Sequence, residues 1–175
     1  MGVLIAGPVW IIVANTTIIQ TGPLCYYLAM EKIILNTDGG SRGNPGVSGI
    51  GVAISDSSGQ VLKTACKFIG ESTNNEAEYE AVIFGLETVK KTIGKDKIKN
   101  IELEVRLDSE LVQKQLTGQY QIKEERLWKY FMLIWNLRVS EFKNIKFVHV
   151  MREDNKLADK LANEAMDQVS QKTLI

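Results

Sequence analysis

Four acidic residues carry the chemistry that this chain could perform. Asp38 follows an apolar stretch and precedes a glycine-rich segment, and Glu78 lies in the first turns of an amphipathic stretch. Asp108 ends a stretch that alternates in polarity, and Asp159 lies in a late amphipathic stretch. If the fold brings these carboxylates together, their repulsion is severe unless divalent cations neutralise it. Clustered hard oxygen ligands suit Mg²⁺ or Mn²⁺, and such ions support phosphoryl chemistry.

Each acid also has a purely structural interpretation. Asp38 is typical of a turn before glycines, Asp108 of a helix N-cap, and Asp159 of a solvent-facing helical position. Glu78 is harder to explain in this way, because its helical face otherwise carries only Ala81, Val82 and Gly85. A helix N-terminus favours a carboxylate by only about 0.3–1 kcal/mol, which hardly offsets burial. A ligand or metal-binding role is the better explanation of Glu78, and the joint pattern is stronger than any member of it.

The elements that must position these acids follow from the hydrophobic periodicity. Strand patterns occur at residues 33–37, 49–55, 60–69, 101–107 and 144–150. Helical patterns occur at residues 74–92, 109–116, 124–141 and 155–169, the first of them capped by Asn74 or Asn75. The glycines after Asp38 predict that the first strand stops there. The order βββαβααβα predicts an α/β fold, with a five-stranded mixed sheet flanked by helices.

The composition is that of an ordinary globular chain of one domain. The 175 residues contain 21 Lys and Arg and 21 Asp and Glu, with 45% hydrophobic residues. A global basic field is absent, so nucleic-acid binding would rest on a local patch. The only cysteines, Cys25 and Cys66, indicate neither a zinc site nor a disulfide framework, and we expect a cytoplasmic protein.

The first thirty residues differ from the rest, because they contain no Lys, Arg, Asp or Glu. A signal peptide would need a positive start, and a membrane span would need about 20 apolar residues without the polar interruptions present here. We interpret residues 1–29 as an extension outside the core, with residues 30–175 as the functional domain. A weak membrane anchor or an added hairpin is the alternative.

Four segments occur in an order that points to a known family. They are Asp-Gly-Gly-Ser-Arg-Gly-Asn-Pro-Gly from residue 38, Thr-Asn-Asn-Glu-Ala-Glu from residue 73, Asp-Ser-Glu-Leu-Val from residue 108 and His-Val-Met-Arg-Glu-Asp-Asn-Lys-Leu-Ala-Asp from residue 149. Together they closely resemble the type 1 ribonuclease H family, over about residues 31 to 170. Residues 116–123 also look like the compact bacterial and archaeal branch of that family.

The resemblance implies a fold, an activity and a cofactor. Family members hydrolyse the RNA strand of RNA–DNA hybrids, and their four acids hold two magnesium ions, which manganese could replace. Matched by motif, the metal ligands here are Asp38, Glu78, Asp108 and Asp159. One ion would lower the pKa of the attacking water and the other would stabilise the leaving 3′ oxygen, leaving a 5′-phosphate and a 3′-hydroxyl.

Two further residues are candidate catalytic helpers by the same resemblance. His149 lies ten residues before Asp159, where many family members place a histidine that assists proton transfer or product release. It also fits the strand pattern around it and could be a plain strand residue. Arg152 could be the cationic helper near the same phosphate, or a solvated loop arginine.

Substrate recognition is expected to use the glycine segment and the asparagines. Backbone amides at Gly39 and Gly40, with Asn44, could approach the RNA minor groove, where the 2′-hydroxyls are displayed. Asn74 and Asn75 could do likewise, and Thr73 could contact a DNA phosphate.

The basic groups that bind DNA in some relatives are reduced here. Glu76 stands where some relatives carry a basic residue, which argues against a strong DNA-phosphate pocket. Residues 118–128 are too short for the basic handle of some bacterial relatives. Lys123, Arg126 and Lys129 are the available substitutes, although they could be only a solvated helix surface. We therefore expect modest, salt-sensitive affinity.

Two other function classes compete with a hybrid nuclease. One is a nuclease of the same fold that acts on other nucleic acid, against which the asparagines and the Asp-Gly-Gly-Ser segment argue. The other is a hybrid-binding module without turnover, against which the presence of all four acids argues. For the leading hypothesis, a hybrid nuclease, we expect a monomer that binds an RNA–DNA hybrid, without an obligate protein partner and without a membrane.

Overall fold

The computed structural model describes residues 10–13, 16–20, 25–27 and 31–172, with side-chain environments for residues 31–168. The chain divides into two compact units, Met1–Glu31 and Lys32–Ile175. In the first, three short antiparallel strands pair in the order β1-β2-β3, namely β1 (Trp10–Val13), β2 (Thr16–Gln20) and β3 (Cys25–Tyr27). That residues 1–29 lie outside the functional core stays a prediction. Within the described ranges, none of the helices has the length and apolar character to cross a membrane.

The second unit contains a five-stranded mixed sheet and four α-helices. Its strands are β4 (Lys32–Gly43), β5 (Gly46–Asp56), β6 (Val61–Ser72), β7 (Glu102–Leu107) and β8 (Ile145–His149). Its helices are α1 (Asn74–Ile93), α2 (Glu110–Leu116), α3 (Glu125–Ser140) and α4 (Lys156–Lys172). The spatial order of the strands is β6-β5-β4-β7-β8, antiparallel from β4 to β6 and parallel from β4 through β7 to β8. The predicted order βββαβααβα and the mixed sheet are confirmed.

The first three of these strands are longer than their apolar cores predict. The prediction that Asp38 ends the first strand was wrong, because β4 continues through the glycines and pairs with β5 as far as Gly43, opposite Gly46. Glycine weakens a strand but does not forbid ladder hydrogen bonds, and it permits close approach of another backbone. The parallel pairing with β7 does stop at Thr37, opposite Leu107. Asp38 therefore lies inside a strand, just beyond the end of its parallel neighbour.

The helices cover both faces of the sheet. Successive strand residues point to opposite faces, and a Cβ placed on Gly39 would meet Ala77 of α1, whereas one on Gly40 would face Met166 of α4. The main hydrophobic core lies on the α1 side, where buried strand residues such as Leu35 pack with residues of α1, α2 and α3. Small buried alanines mark the inner face of α4, namely Ala158, Ala162 and Ala165. This two-sided packing brings the starts of α1 and α4 to the same central strand.

Candidate active site

The four acids lie where strand ends and helix starts meet. Asp38 lies on the central strand β4, and Asp108 follows the last residue of β7. The carboxyl ends of parallel neighbouring strands share one edge of a sheet, so these two side chains converge. Glu78 lies near the start of α1 and Asp159 in the first turn of α4.

Contact between α1 and β4 places Glu78 beside Asp38. A Cβ built on Gly39 would lie 2.2 Å from the Ala77 carbonyl oxygen, a distance that no real side chain tolerates. The absence of a side chain at Gly39 therefore lets the backbone of α1 rest directly on the strand. Because Asp38 and Glu78 adjoin these two contacting residues, their carboxylates are brought together.

A second glycine contact places α4 on the other face. A Cβ on Gly51 of β5 would lie 2.3 Å from the Ala158 carbonyl oxygen, and one on Gly49 would lie 2.5 Å from the Ala162 carbonyl oxygen. The helix therefore lies against bare strand backbone at both positions. Asp159 directly follows Ala158, so this contact holds its carboxylate near the same end of the sheet.

Three of the four carboxylates form a tight cluster. Asp38, Glu78 and Asp108 each place an oxygen within 4.8 Å of the others. The Asp38 and Glu78 residues are only 7% and 6% exposed. Asp159 is not part of this threefold cluster, but it lines the same cavity of about 200 Å³ with Asp38, Glu78 and Arg152. The structure therefore places Asp159 at the cavity beside the cluster of the other three predicted acids.

This arrangement disfavours ionisation of Asp38 and Glu78. Burial raises the pKa of Asp38 to about 7, with further contributions from the charges of Asp108 and Asp159, while Arg152 opposes them. Burial also raises the pKa of Glu78 well above its ordinary value, helped by the charges of Asp38 and Asp108. Perturbed carboxyls concentrated in a cavity are typical of functional sites.

The donor set fits a divalent cation. Glu78 Oε2 is buried and has no hydrogen-bond partner among the described residues. A buried carboxylate oxygen left without a partner is costly, and a cation would satisfy it. The oxygens are hard ligands, which Mg²⁺ and Mn²⁺ prefer over the softer sulfur or imidazole donors. Asp38, Glu78, Asp108 and Asp159 are the residues that could hold such ions.

The two candidate helpers differ in their relation to this cavity. Arg152 lines it, and its Nε lies 3.5 Å from Asp108 Oδ2 while the side chain remains 82% exposed. His149 is the exposed last residue of β8 and does not line the part of the cavity that the structure describes. It lies close enough to Glu110 to assist Lys114 in lowering the pKa of that carboxyl. Arg152 thus lies beside Asp108, whereas His149 lies outside the described lining of the cavity.

The predicted substrate-binding residues surround the start of α1. Gly39, Gly40 and Asn74 line the cavity. Asn44 is exposed at the β4–β5 turn, and its Oδ1 accepts a hydrogen bond from the Asn74 amide nitrogen at 3.3 Å. Asn75 donates from Nδ2 to Glu124 Oε1 at 3.4 Å, which links α1 to the start of α3.

The prediction that Asn74 or Asn75 caps α1 was wrong, because Thr73 is the N-cap. The Thr73 hydroxyl accepts from the Glu76 amide nitrogen, and Glu76 Oε2 accepts from the Thr73 amide nitrogen, which completes a capping box. Glu76, which departs from the basic residue of some relatives, is therefore explained by helix capping. The buried Thr73 hydroxyl also donates to Glu76 Oε2, so its contact with a DNA phosphate stays a prediction.

The basic residues near the start of α3 are exposed, and two of them have intramolecular partners. Arg126 pairs with Glu124 at 2.6 Å, and the Lys129 ammonium lies 4.5 Å from the centre of the Tyr130 ring. Lys123 lines a second cavity, which α2 and the segment that follows it form. Exposed pairs of this kind exchange easily for other partners, so a role in binding phosphate stays a prediction.

Sequence reasoning missed Asn155 as a member of this site. The residue is 1% exposed, and its Nδ2 donates to Asp108 Oδ1 at 3.2 Å and to the Thr37 carbonyl oxygen at 2.9 Å. Its position before a helical pattern is typical of a cap, which hid its contact with the strands. The available signal was its place four residues before Asp159, on the same helical face.

The comparisons with known proteins agree with this geometry. Residues 36–165 match the model of the reverse transcriptase-like family. Ribonuclease H of Ruthia magnifica is 32% identical over 158 residues, covering 81% of this chain and 99% of that protein. The structure of LC11-RNase H1 in complex with an RNA/DNA hybrid is 47% identical, with a TM-score of 0.75, and the match covers 78% of this chain and 98% of that one.

Other relatives are longer than this chain. A bifunctional protein of Mycobacterium tuberculosis is 39% identical over 142 residues, and the match spans 80% of this chain but 37% of that protein. Ribonuclease HI of Halobacterium salinarum is 38% identical over 130 residues, and 62% of its length is matched. Matches of this extent and identity, on the same fold, show that the chain belongs to the type 1 ribonuclease H family.

Proposed function

We propose that this protein is a metal-dependent endonuclease that hydrolyses the RNA strand of RNA–DNA hybrids. The observation that carries the proposal is the convergence of Asp38, Glu78 and Asp108 within 4.8 Å of one another, beside a cavity that Asp38, Glu78 and Asp159 line. A protein that only bound hybrids would gain nothing from this cluster, because buried like charges destabilise the fold. The match to a solved relative in complex with an RNA/DNA hybrid supports the choice of substrate.

The chemistry needs a cofactor that the carboxylates would hold. Two Mg²⁺ ions, or Mn²⁺ in their place, would supply water activation and stabilisation of the leaving 3′ oxygen, so that cleavage leaves a 5′-phosphate and a 3′-hydroxyl. Asp38, Glu78, Asp108 and Asp159 are the proposed ligands of these ions. No protein nucleophile is required.

The chain's own residues would align the scissile phosphate. Gly39, Gly40 and Asn74 line the cavity beside the carboxylates, where backbone can approach a sugar–phosphate chain closely. Asn44 and Asn75 extend this surface on either side of Asn74, at positions from which amides could contact 2′-hydroxyls in the minor groove. Arg152, exposed beside Asp108, would place a positive charge near the phosphate.

We infer that the active unit is a monomer, because one chain supplies all four acids. His149 is exposed at the end of β8, outside the described lining of the cavity, and we propose that it assists proton transfer or product release by moving inward. The cytoplasm is the proposed compartment.

A cleavage assay with end-labelled substrates tests the proposal. The RNA strand of a hybrid should be cut with Mg²⁺ or Mn²⁺ and left intact with a chelator, whereas single-stranded RNA and duplex DNA should persist. Asp38→Asn should remove cleavage while hybrid binding, measured by fluorescence anisotropy, is retained. Unchanged cleavage by this variant would refute the proposed metal site, and hybrid binding without any cleavage by the wild type would favour a binding module.

A further inference from the structure

One buried amide joins the elements that carry the carboxylates. Asn155 immediately precedes α4, and both N–H groups of its side chain are used: one donates to Asp108 Oδ1 at 3.2 Å and the other to the Thr37 carbonyl oxygen at 2.9 Å. Thr37 directly precedes Asp38 on β4. The Asn155 side chain therefore links the carboxylate after β7 to the backbone that positions the central acid.

The orientation of this amide is itself set by a partner. Asn36 Nδ2 donates to Asn155 Oδ1 at 3.1 Å, which leaves the amide nitrogen to face Asp108 Oδ1 and the Thr37 carbonyl oxygen. The Asn155 backbone carbonyl also accepts from the Asp159 amide nitrogen at 3.1 Å, in the first turn of α4. One residue thus contacts β4, the end of β7 and the beginning of the helix that carries the fourth acid.

We propose that Asn155 is a positioning residue that holds Asp108 in the orientation needed for metal binding. The inference rests on the proposed function. Asp108 has Arg152 beside Oδ2 and Asn155 bonded to Oδ1. Without the amide, Asp108 Oδ1 loses this donor, and the pull of the exposed guanidinium on the carboxylate is no longer balanced. Asn155 itself is only 1% exposed, so it acts through Asp108 and not on the substrate.

A general property of metal sites sets the expected size of the effect. Side chains that orient a metal ligand change metal affinity by about 10- to 100-fold when they are removed. Asn155 is 1% exposed, so water does not readily replace the lost donor. Asn155→Ala should therefore weaken Mn²⁺ binding by about 10- to 100-fold and lower kcat, while leaving the KM for hybrid near the wild-type value.

Isothermal titration of the full chain with Mn²⁺, in the absence of nucleic acid, tests the inference. Gln115→Ala is the matched control, because Gln115 is also a buried amide, but its partners are Tyr79 and Gln121. It should lose stability and keep wild-type Mn²⁺ affinity. Circular dichroism verifies that each variant is folded.

Asn36→Ala provides a second route, because it removes the donor that orients Asn155 while leaving Asn155 in place. It should weaken Mn²⁺ binding less than Asn155→Ala does, and it decides the question if the latter variant does not fold. Wild-type affinity in the folded variants would overturn the positioning role. Failure of the wild-type protein to bind Mn²⁺ at all would instead overturn the proposed function.

Discussion

Replacing Asp38 by asparagine should stabilise the metal-free protein at neutral and alkaline pH. The variant keeps the shape of the side chain but cannot ionise, so it removes one negative charge from a cluster whose members lie within 4.8 Å of one another. A substitution that removes an active-site group and raises the free energy of unfolding indicates that the ligands of the site repel each other.

The magnitude follows from the pKa of Asp38, which burial and the charges of Asp108 and Asp159 raise from 3.8 to about 7. Between pH 3.8 and about pH 7, Asp38 therefore carries a proton in the folded protein but not in the unfolded protein. Stability is therefore lost as the pH rises through that window. Each tenfold change in proton affinity is worth about 1.4 kcal/mol, so the loss is about 2 kcal/mol at pH 5 and about 4 kcal/mol at pH 8.

Urea denaturation of wild type and Asp38→Asn in the presence of a chelator, at pH 5 and pH 8, measures this effect. The stability advantage of the variant should grow by roughly 2 to 3 kcal/mol between the two pH values. Asp96→Asn, which removes an exposed carboxylate in a turn, controls for the general effect of lost charge and should show no such growth. An advantage that is absent, or that shrinks as the pH rises, would refute the argument that the cluster is electrostatically strained.

Three further predictions follow from the contacts around the site. Gly39→Ala should destabilise the fold by about 1–3 kcal/mol, because its Cβ would lie 2.2 Å from the Ala77 carbonyl oxygen. The Cβ of Gly40→Ala would meet its nearest atom at 3.7 Å, so this variant should change the urea midpoint little. Arg152→Ala should slow hybrid cleavage yet alter unfolding free energy by less than about 0.5 kcal/mol, since this arginine is largely exposed. Thr73→Ala should lower thermal stability by about 1 kcal/mol through loss of the α1 cap, and an unchanged melting temperature would contradict the capping box.

The order of elements and the burial of Glu78 could be predicted from the sequence because both depend on local patterns, whereas the role of the four acids as metal ligands stays a prediction. Residues 101–107 alternate strictly in polarity, and β7 shows the same alternation of half-buried and buried residues. Glu78 was notable because its helical neighbours are apolar, and the structure buries it. Local pattern and final environment agree at these positions.

The features that could not be predicted depend on contacts between distant segments. The glycines after Asp38 predicted the end of the strand, but β4 continues through them. The missing side chain of Gly39 is needed so that α1 can pack directly on this strand. Thr73 caps α1 in place of the asparagines, because it forms a capping box with Glu76. The role of Asn155 depends on its distance from Asp108, which is 47 residues away in the chain, and local pattern carries no information on that distance.

The central claim is that the buried acids carry out cleavage of the hybrid, and single-turnover cleavage by Glu78→Gln tests it most directly. Glu80→Gln is the matched control on the same helix, because Glu80 is half-buried and accepts a hydrogen bond from the Tyr130 hydroxyl. Removing a side chain that orients a metal ligand already lowers metal affinity or activity by about 10- to 100-fold. Loss of a ligand itself should therefore slow cleavage by at least about 100-fold. Hybrid affinity should be unchanged, and Glu80→Gln should cleave like the wild type. Equal cleavage rates for Glu78→Gln and the control would contradict the account.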